Sequence, residues 1–303
     1  MLEKKLENII KKNRHLIKEG HVADYIPALS KVDPNYIGIS ISDIDGNIYK
    51  AGDYNTKFTI QSISKIIGLM LALKDNGEDY YFSKVGCEPT DEPFNTLYKM
   101  DLKNQKPANP MINSGAIITT SLIKGNKEEK FNRIIEFIRL IAENPGITYN
   151  EEVYLSEKYT GDKNRAIAYL MKSKGLLEGE VEDILDTYFK QCSIEVTAVD
   201  LAKIGLFIAR RCPLDLEGRI ENERMAAIVT AIMTTCGMYD FSGQYAATVG
   251  IPSKSGVGGG ILATIPNKLG IGVFSPALDK FGNSIAGYGI MKDLSRELNL
   301  NIF

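Results

Sequence analysis

The chain opens with apolar residues at helical spacing. Leu2, Leu6, Ile9, Ile10, Leu16 and Ile17 share one face of a helix over 2–19, which Gly20 ends. The period then switches to two. Ile37, Ile39 and Ile41 alternate with Gly38, Ser40 and Ser42, Asp45-Gly46 supplies a turn, and "NIYKAG" returns; this predicts a hairpin. Phe58–Ile60 reads as a short extended piece. It leads into a helix that starts near Ser62, in "FTIQSISKIIGLMLALKDNG", and stops at Asn76-Gly77. Helical patterns fill the middle: "MINSGAIITTSLIK" after Pro110, "KFNRIIEFIRLIAEN" up to Pro145-Gly146, "NRAIAYLMKSKG", "VEDILDTYFKQC", "TAVDLAKIGLFIARR" with Thr197 as N-cap, and "NERMAAIVTAIMTTCG". Strand patterns come back near the C-terminus. "GVGGGILATIP" and "LGIGVFSP" flank Asn267-Lys268 as a second hairpin, and "SIAGYGIMKDLSRELNL" predicts a closing helix.

Strands at both ends with helices between them predict an α+β fold. Its antiparallel sheet is built from the two hairpins, flanked by the terminal helices, with an all-helical lobe inserted. The expected organisation is a single catalytic domain over 1–303, with a sheet lobe of about 1–75 plus 237–303 and a helical lobe of about 76–236.

Composition narrows the classes. A length of 303 residues at 44% hydrophobic content supports a sizeable core. A net charge of -2 with no Lys/Arg tract gives nucleic acid or an anionic membrane nothing to hold. The start "MLEKKLENIIKK" has no apolar signal region, and no apolar run approaches the roughly 18 residues of a membrane span, so a cytoplasmic location is expected. Cys87, Cys192, Cys212 and Cys236 form no CxxC pair and are expected to be free thiols. The only histidines are His15 and His21, neither in a nucleophile motif. A Ser-His-Asp triad and a His-rich zinc site therefore lack residues, and a hydrolase would need Lys, Tyr or a carboxylate as its base.

Ser62 and Lys65 supply such a pair. One helical turn apart, they share a face at a helix N-terminus, whose N–H groups favour developing negative charge. Burial among Ile63, Ile66, Ile67 and Leu69 would keep the lysine neutral enough to act as base. Taken alone the motif is weak. About one Ser-x-x-Lys arises by chance in a chain this long, and Ser121–Lys124 is a second copy at a helix end, where the dipole has the wrong sign. Ser62 as a plain N-cap stays open at this point.

"PSKSGVGGGI" adds a partner. Lys254-Ser255-Gly256 lies at a strand edge, and a Ser-x-x-Lys helix beside a Lys-Ser/Thr-Gly strand is the layout of penicillin-recognising serine enzymes. The glycines let backbone approach a substrate, one of their N–H groups joins that of Ser62 as an oxyanion hole, and Lys254 is the cation expected to lower the pKa of Lys65. Tyr239 has the chemistry to relay a proton. Glu157, Asn113 and Asn164 have the chemistry to hold an amino-acid-like ligand, although each alone also reads as a cap, turn or surface residue.

Eight segments in order closely resemble the serine-dependent glutaminase family of bacterial type: "GHVADYIPALS", "FTIQSISK", "NPMINSGAI", "SEKYTGDKNRAIAYL", "YFKQCSIEVT", "CGMYDFSGQYA", "PSKSGVGGGI" and "SPALDKFGNS". The resemblance implies a β-lactamase/transpeptidase-like fold. It also implies hydrolysis of L-glutamine to L-glutamate and ammonia through a γ-glutamyl-serine acyl-enzyme, with no metal or cofactor, in a homo-oligomer (dimer or tetramer). Carried over position by position, it implies Ser62 as nucleophile, Lys65 as its base and Tyr239 as proton-transfer partner. The N–H groups of Ser62 and Val257 would form the oxyanion hole. Asn113, Glu157, Asn164 and Tyr188 would hold the amino-acid end, Tyr25 and Gln61 the mouth, and Lys254 would support the Ser62–Lys65 pair.

Two alternatives stand beside this expectation: a penicillin-recognising acyl transferase or hydrolase, and a non-catalytic amino-acid-binding relative. Asp240-Phe241 follows Tyr239 where β-lactam enzymes carry x-Asn, and no SDN triplet follows the Ser-x-x-Lys, which argues against the first. The intact Ser62, Lys65 and Lys254 argue against the second.

Overall fold

A computed structural model describes residues 2–90, 106–213 and 218–303. The expected first helix divides in two. Helix α1 is Leu2–Asn13, and a 3-10 stretch, Arg14–Glu19, continues it. The break falls at Asn13, whose buried amide donates to the Ile9 carbonyl (2.9 Å) and to Asp293 (2.7 Å). Strands β1 (Gly38–Asp43), β2 (Ile48–Gly52) and β3 (Phe58–Thr59) follow, then helices α2 (Ser64–Asn76) and α3 (Glu78–Lys84). Next come α4 (Asn113–Leu122), α5 (Lys127–Ile141), α6 (Glu151–Thr160), α7 (Asp162–Ser173) and α8 (Val181–Cys192). After β4 (Glu195–Val196) come α9 (Ala198–Ala209), α10 (Asn222–Cys236) and α11 (Ser242–Thr248), then β5 (Ser253–Ser255), β6 (Gly260–Ile265), β7 (Leu269–Phe274) and α12 (Ile285–Glu297).

The main sheet has the order β2-β1-β7-β6-β5, antiparallel throughout. The two hairpins anticipated at opposite ends of the chain thus meet as β1 against β7, with Ile39 opposite Val273 and Ile41 opposite Ile271. Side chains alternate across the pleat, so Ile39, Ile41, Ile261, Ala263, Ile271 and Val273 share one face. That face packs on the apolar sides of α1 and α12.

The opposite face is built differently. It carries Gly270 and Gly272, and α9 lies flat upon it with its own Gly205 turned inward. A Cβ at Gly272 would stand 2.0 Å from the Ala198 carbonyl oxygen, and one at Gly205 2.3 Å from that of Ala263. Helix and sheet touch backbone to backbone. The sequence pattern gave the sheet only terminal helices as cover and placed 197–211 among the inserted helices; the structure uses this mid-chain helix as the second cover. Thr197 opens it with a capping box to Asp200, as its N-cap position predicts. Gly272→Ala should therefore be severely destabilising. The clash is with backbone, which cannot rotate away, so the loss should meet or exceed the ~1–3 kcal/mol of ordinary overpacking. Gly243→Ala in α11, where a Cβ meets nothing within 4 Å, is the control and should be neutral or slightly stabilising. Urea unfolding of both variants checks this, and equal midpoints would contradict it.

Helix α2 is buried along nearly its whole length and is enclosed mainly by α4, α5 and α10. This explains an apolar pattern that runs all the way round it. Helices α3, α6 and α11 were not evident from the sequence pattern. Helix α6 is opened by Asn150, whose side chain accepts from the Val153 N–H (3.0 Å). Among the described residues, no helix is long and apolar enough to cross a membrane.

Candidate active site

Ser62 does not stand in the α-helix itself. It occupies a 3-10 turn, Gln61–Ile63, that feeds α2. Strand β3 pairs with β4, and the Ile60 N–H donates to the Ile194 carbonyl (2.8 Å), which fixes where the turn begins. Gln61 holds φ +48°, a left-handed value that costs a non-glycine residue roughly 1–3 kcal/mol. Tyr239, in its own 3-10 turn Tyr239–Phe241, has φ +56°. Its hydroxyl hydrogen-bonds Ser62 and reaches the Ser255 carbonyl at 3.3 Å. Two strained residues thus flank the serine.

Lys65 is fully buried in the first turn of α2. Its Nζ donates to the Met111 carbonyl (2.9 Å) and to Asn113 Oδ1 (2.8 Å). Burial pushes its pKa down to about 8, with Cys192 and Glu157 opposing. Lys254 on edge strand β5 is equally buried. It donates to the carbonyls of Gly237 (3.1 Å) and Ser255, with Nζ 4.3 Å from the centre of the Tyr239 ring. The sequence reading gave Lys65's lowered pKa two causes, burial and the cation of Lys254. Burial leads at Lys65 as expected, while Lys254 is itself driven well down, by burial first and by Lys65 second.

The glycine-rich loop after β5 presses on the serine turn. A Cβ at Gly256 would lie 2.7 Å from the Ile60 carbonyl oxygen, and one at Gly258 2.3 Å from that of Thr59. Only glycines let this loop sit there, and it sets Val257, buried in one cluster with Tyr239, beside Ser62's segment.

A second group extends from Lys65. Asn109 Oδ1 accepts from the Met111 and Ile112 N–H groups, turning the chain into α4 with Asn113 at its start. Asn113 Oδ1 also accepts from the Tyr188 hydroxyl (3.3 Å), and its amide donates to Asn164 Oδ1 (2.9 Å). Nearby, Glu157 is buried, and its Oε1 has no hydrogen-bond partner. Burial pushes this carboxyl up to about 8, against Gln61 and Lys65, which lower it. Tyr25 is 55% exposed, with its phenol in electrostatic reach of Glu157 and Tyr239. All eleven site residues singled out in the sequence therefore gather in one place.

Two features were not picked out in advance. Beneath Lys65, Ser64 faces Cys192 (3.9 Å) and Gln191 (3.5 Å), and Gln191 reaches Thr120 (3.3 Å). Asp186 sits among lysines behind Glu157. Nothing in their local sequence marks either. Ser121, in the second Ser-x-x-Lys, bonds back to the Ile118 carbonyl (2.7 Å) at the end of α4. Among the described residues no group of three or more His, Cys, Asp or Glu side chains could hold a metal, and the four cysteines are free.

A five-stranded antiparallel sheet with a serine one turn before a buried lysine at the mouth of a buried helix, faced by a Lys-Ser-Gly edge strand, defines a protein of the β-lactamase-like fold class. Within that class the family is specific: the family model described as Glutaminase matches residues 20–303, and the chain belongs to the glutaminase family. A glutaminase of Clostridium tetani is 58% identical over 306 residues, spanning 100% of both chains. Glutaminase 2 of Clostridium perfringens is 55% identical over 98% of this chain and 99% of its own. A probable glutaminase from Bacillus subtilis, solved in complex with 6-diazo-5-oxo-L-norleucine, superposes with a TM-score of 0.88 at 38% identity, covering 99% of this chain and 96% of that one. Another solved probable glutaminase gives a TM-score of 0.91 at 38% identity, covering 99% and 98%.

Proposed function

We propose that this glutaminase hydrolyses L-glutamine to L-glutamate and ammonia through a γ-glutamyl ester on Ser62. The observation that carries the reading is the buried, unpartnered carboxylate oxygen of Glu157 close to the buried Lys65. A free amino acid brings an ammonium for Glu157, a carboxylate for the donors Asn113, Asn164 and Tyr188, and a side-chain amide for Ser62. Neutral Lys65 takes the Ser62 proton as Oγ attacks the amide carbon. The N–H groups of Ser62 and Val257 hold the oxyanion, and Tyr239 passes a proton to the departing ammonia. Tyr239 regains its proton from Lys65, which is then neutral again; water attacks the ester and gives its proton to Lys65, which returns it to the Ser62 oxygen as glutamate leaves. The same reading carries a single catalytic domain, a homodimer or homotetramer, and a cytoplasmic setting.

Purified protein offered glutamine, asparagine and a fluorescent penicillin tests the reading. Ammonia should come from glutamine, with no covalent penicillin label. Labelling without ammonia would replace it with acyl transfer to β-lactams, and saturable glutamine binding without turnover would replace it with a binding protein.

A further inference from the structure

We infer that Asp186 is a positioning residue for substrate recognition: its carboxylate clamps the turn of α6 that carries Glu157 to α8, the helix that carries Tyr188. This rests on the proposed role of Glu157 as the partner of the substrate ammonium. Glu157 lies between Tyr154 and Lys158 on α6, and both neighbours end on Asp186. The Tyr154 hydroxyl donates to Asp186 Oδ1, and Lys158 Nζ reaches the same oxygen at 2.5 Å and the Tyr154 hydroxyl at 3.0 Å. From α5, Lys127 meets Oδ2 at 3.0 Å, and Lys190, one turn along α8, lies 3.8 Å from it. Asp186 is only 3% exposed, and Tyr154 is also buried.

Asp186 stands two residues before Tyr188, about 200° away around α8. The helix thus offers Tyr188 to Asn113 and Asp186 to α6 from roughly opposite sides. Burial by itself would push the Asp186 carboxyl up; Lys158, Tyr154 and Lys127 outweigh it and hold the pKa at about 2. The clamp is therefore charged at any pH where activity is measured. Glu157 needs such support. Gln61 hydrogen-bonds the carboxyl, but Oε1 has no partner, so the aim of that oxygen depends also on how firmly its turn of helix is held.

The test is steady-state kinetics on glutamine with Asp186→Asn, Tyr154→Phe, Lys127→Met and Glu157→Gln, each with a melting curve. Asp186→Asn should raise KM roughly tenfold or more while kcat stays within about threefold, since binding common to ground and transition states is what is lost. Tyr154→Phe removes one hydroxyl from Glu157's helix and should shift KM the same way by a smaller factor. Lys127→Met removes an ion pair that reaches Asp186 from α5 and not from Glu157's helix, so it should lower Tm while shifting KM less than Tyr154→Phe does. A merely structural Asp186 would reduce the active fraction, which lowers apparent kcat and not KM. If Asp186→Asn does not fold, Tyr154→Phe decides. Unchanged KM in both Asp186→Asn and Tyr154→Phe, beside a raised KM in Glu157→Gln, overturns the clamp alone. Unchanged KM in Glu157→Gln overturns the reading of Glu157, and the clamp with it.

Discussion

Ser62→Ala is expected to eliminate ammonia release, with kcat falling roughly 10⁴-fold or more, because a nucleophile has no substitute within its own site. The fold should hardly notice. The hydroxyl's contribution to stability is a hydrogen bond with Tyr239, worth about 1 kcal/mol, in a turn already fixed by the β3–β4 pairing. Ser121→Ala provides the comparison. That hydroxyl bonds back into its own helix end, and the variant should keep full activity. Ammonia assays on both variants, with melting curves, check the result. Appreciable turnover by Ser62→Ala would remove Ser62 as nucleophile.

The second large effect belongs to Lys65. Lys65→Met should lower kcat/KM by ~10²–10⁴, the usual share of a positioned base. The pH profile shows the cause. With Lys65 lowered to about 8 and Glu157 raised to about 8, both groups give up a proton as pH rises through that region. The lysine becomes a base and the glutamate becomes a carboxylate able to take an ammonium. Wild-type kcat/KM should therefore climb with pH up to about 8 and level off above it. Glu157→Gln should make the climb shallower by removing one of the two titrations, and Lys65→Met should remove the part due to the base. A profile flat from well below pH 8 would contradict both assignments.

The chemistry was more legible in the sequence than its mechanical support. Ser62 and Lys65 announce themselves through spacing and an oily helix, and Lys254-Ser255-Gly256 through glycine next to a strand. The hairpins are marked by alternation and by Asp45-Gly46, and Thr197 by capping chemistry. Each of these signals lies within a few residues. Helix α6 escaped because only Val153, Tyr154 and Glu157 are buried along it, too few for a clear stripe. The covering role of α9 depends on three glycines, Gly205, Gly270 and Gly272, that meet only after folding. The lowering of Lys65 by burial was legible in the oily helix around it; the part assigned to Lys254 was not, since Lys254 proves to be a group that Lys65 lowers.

The unpartnered oxygen of Glu157 has one more consequence. While the site is empty, burial keeps a proton on this carboxyl up to about pH 8. In the proposed mechanism an arriving glutamine exchanges that proton for its own ammonium, so near neutrality each docking event discharges an acid equivalent into the surrounding buffer. Hydrogen ions and glutamine then compete for one seat. Acidification weakens occupancy of that seat at the same time as it protonates the lysine that serves the serine.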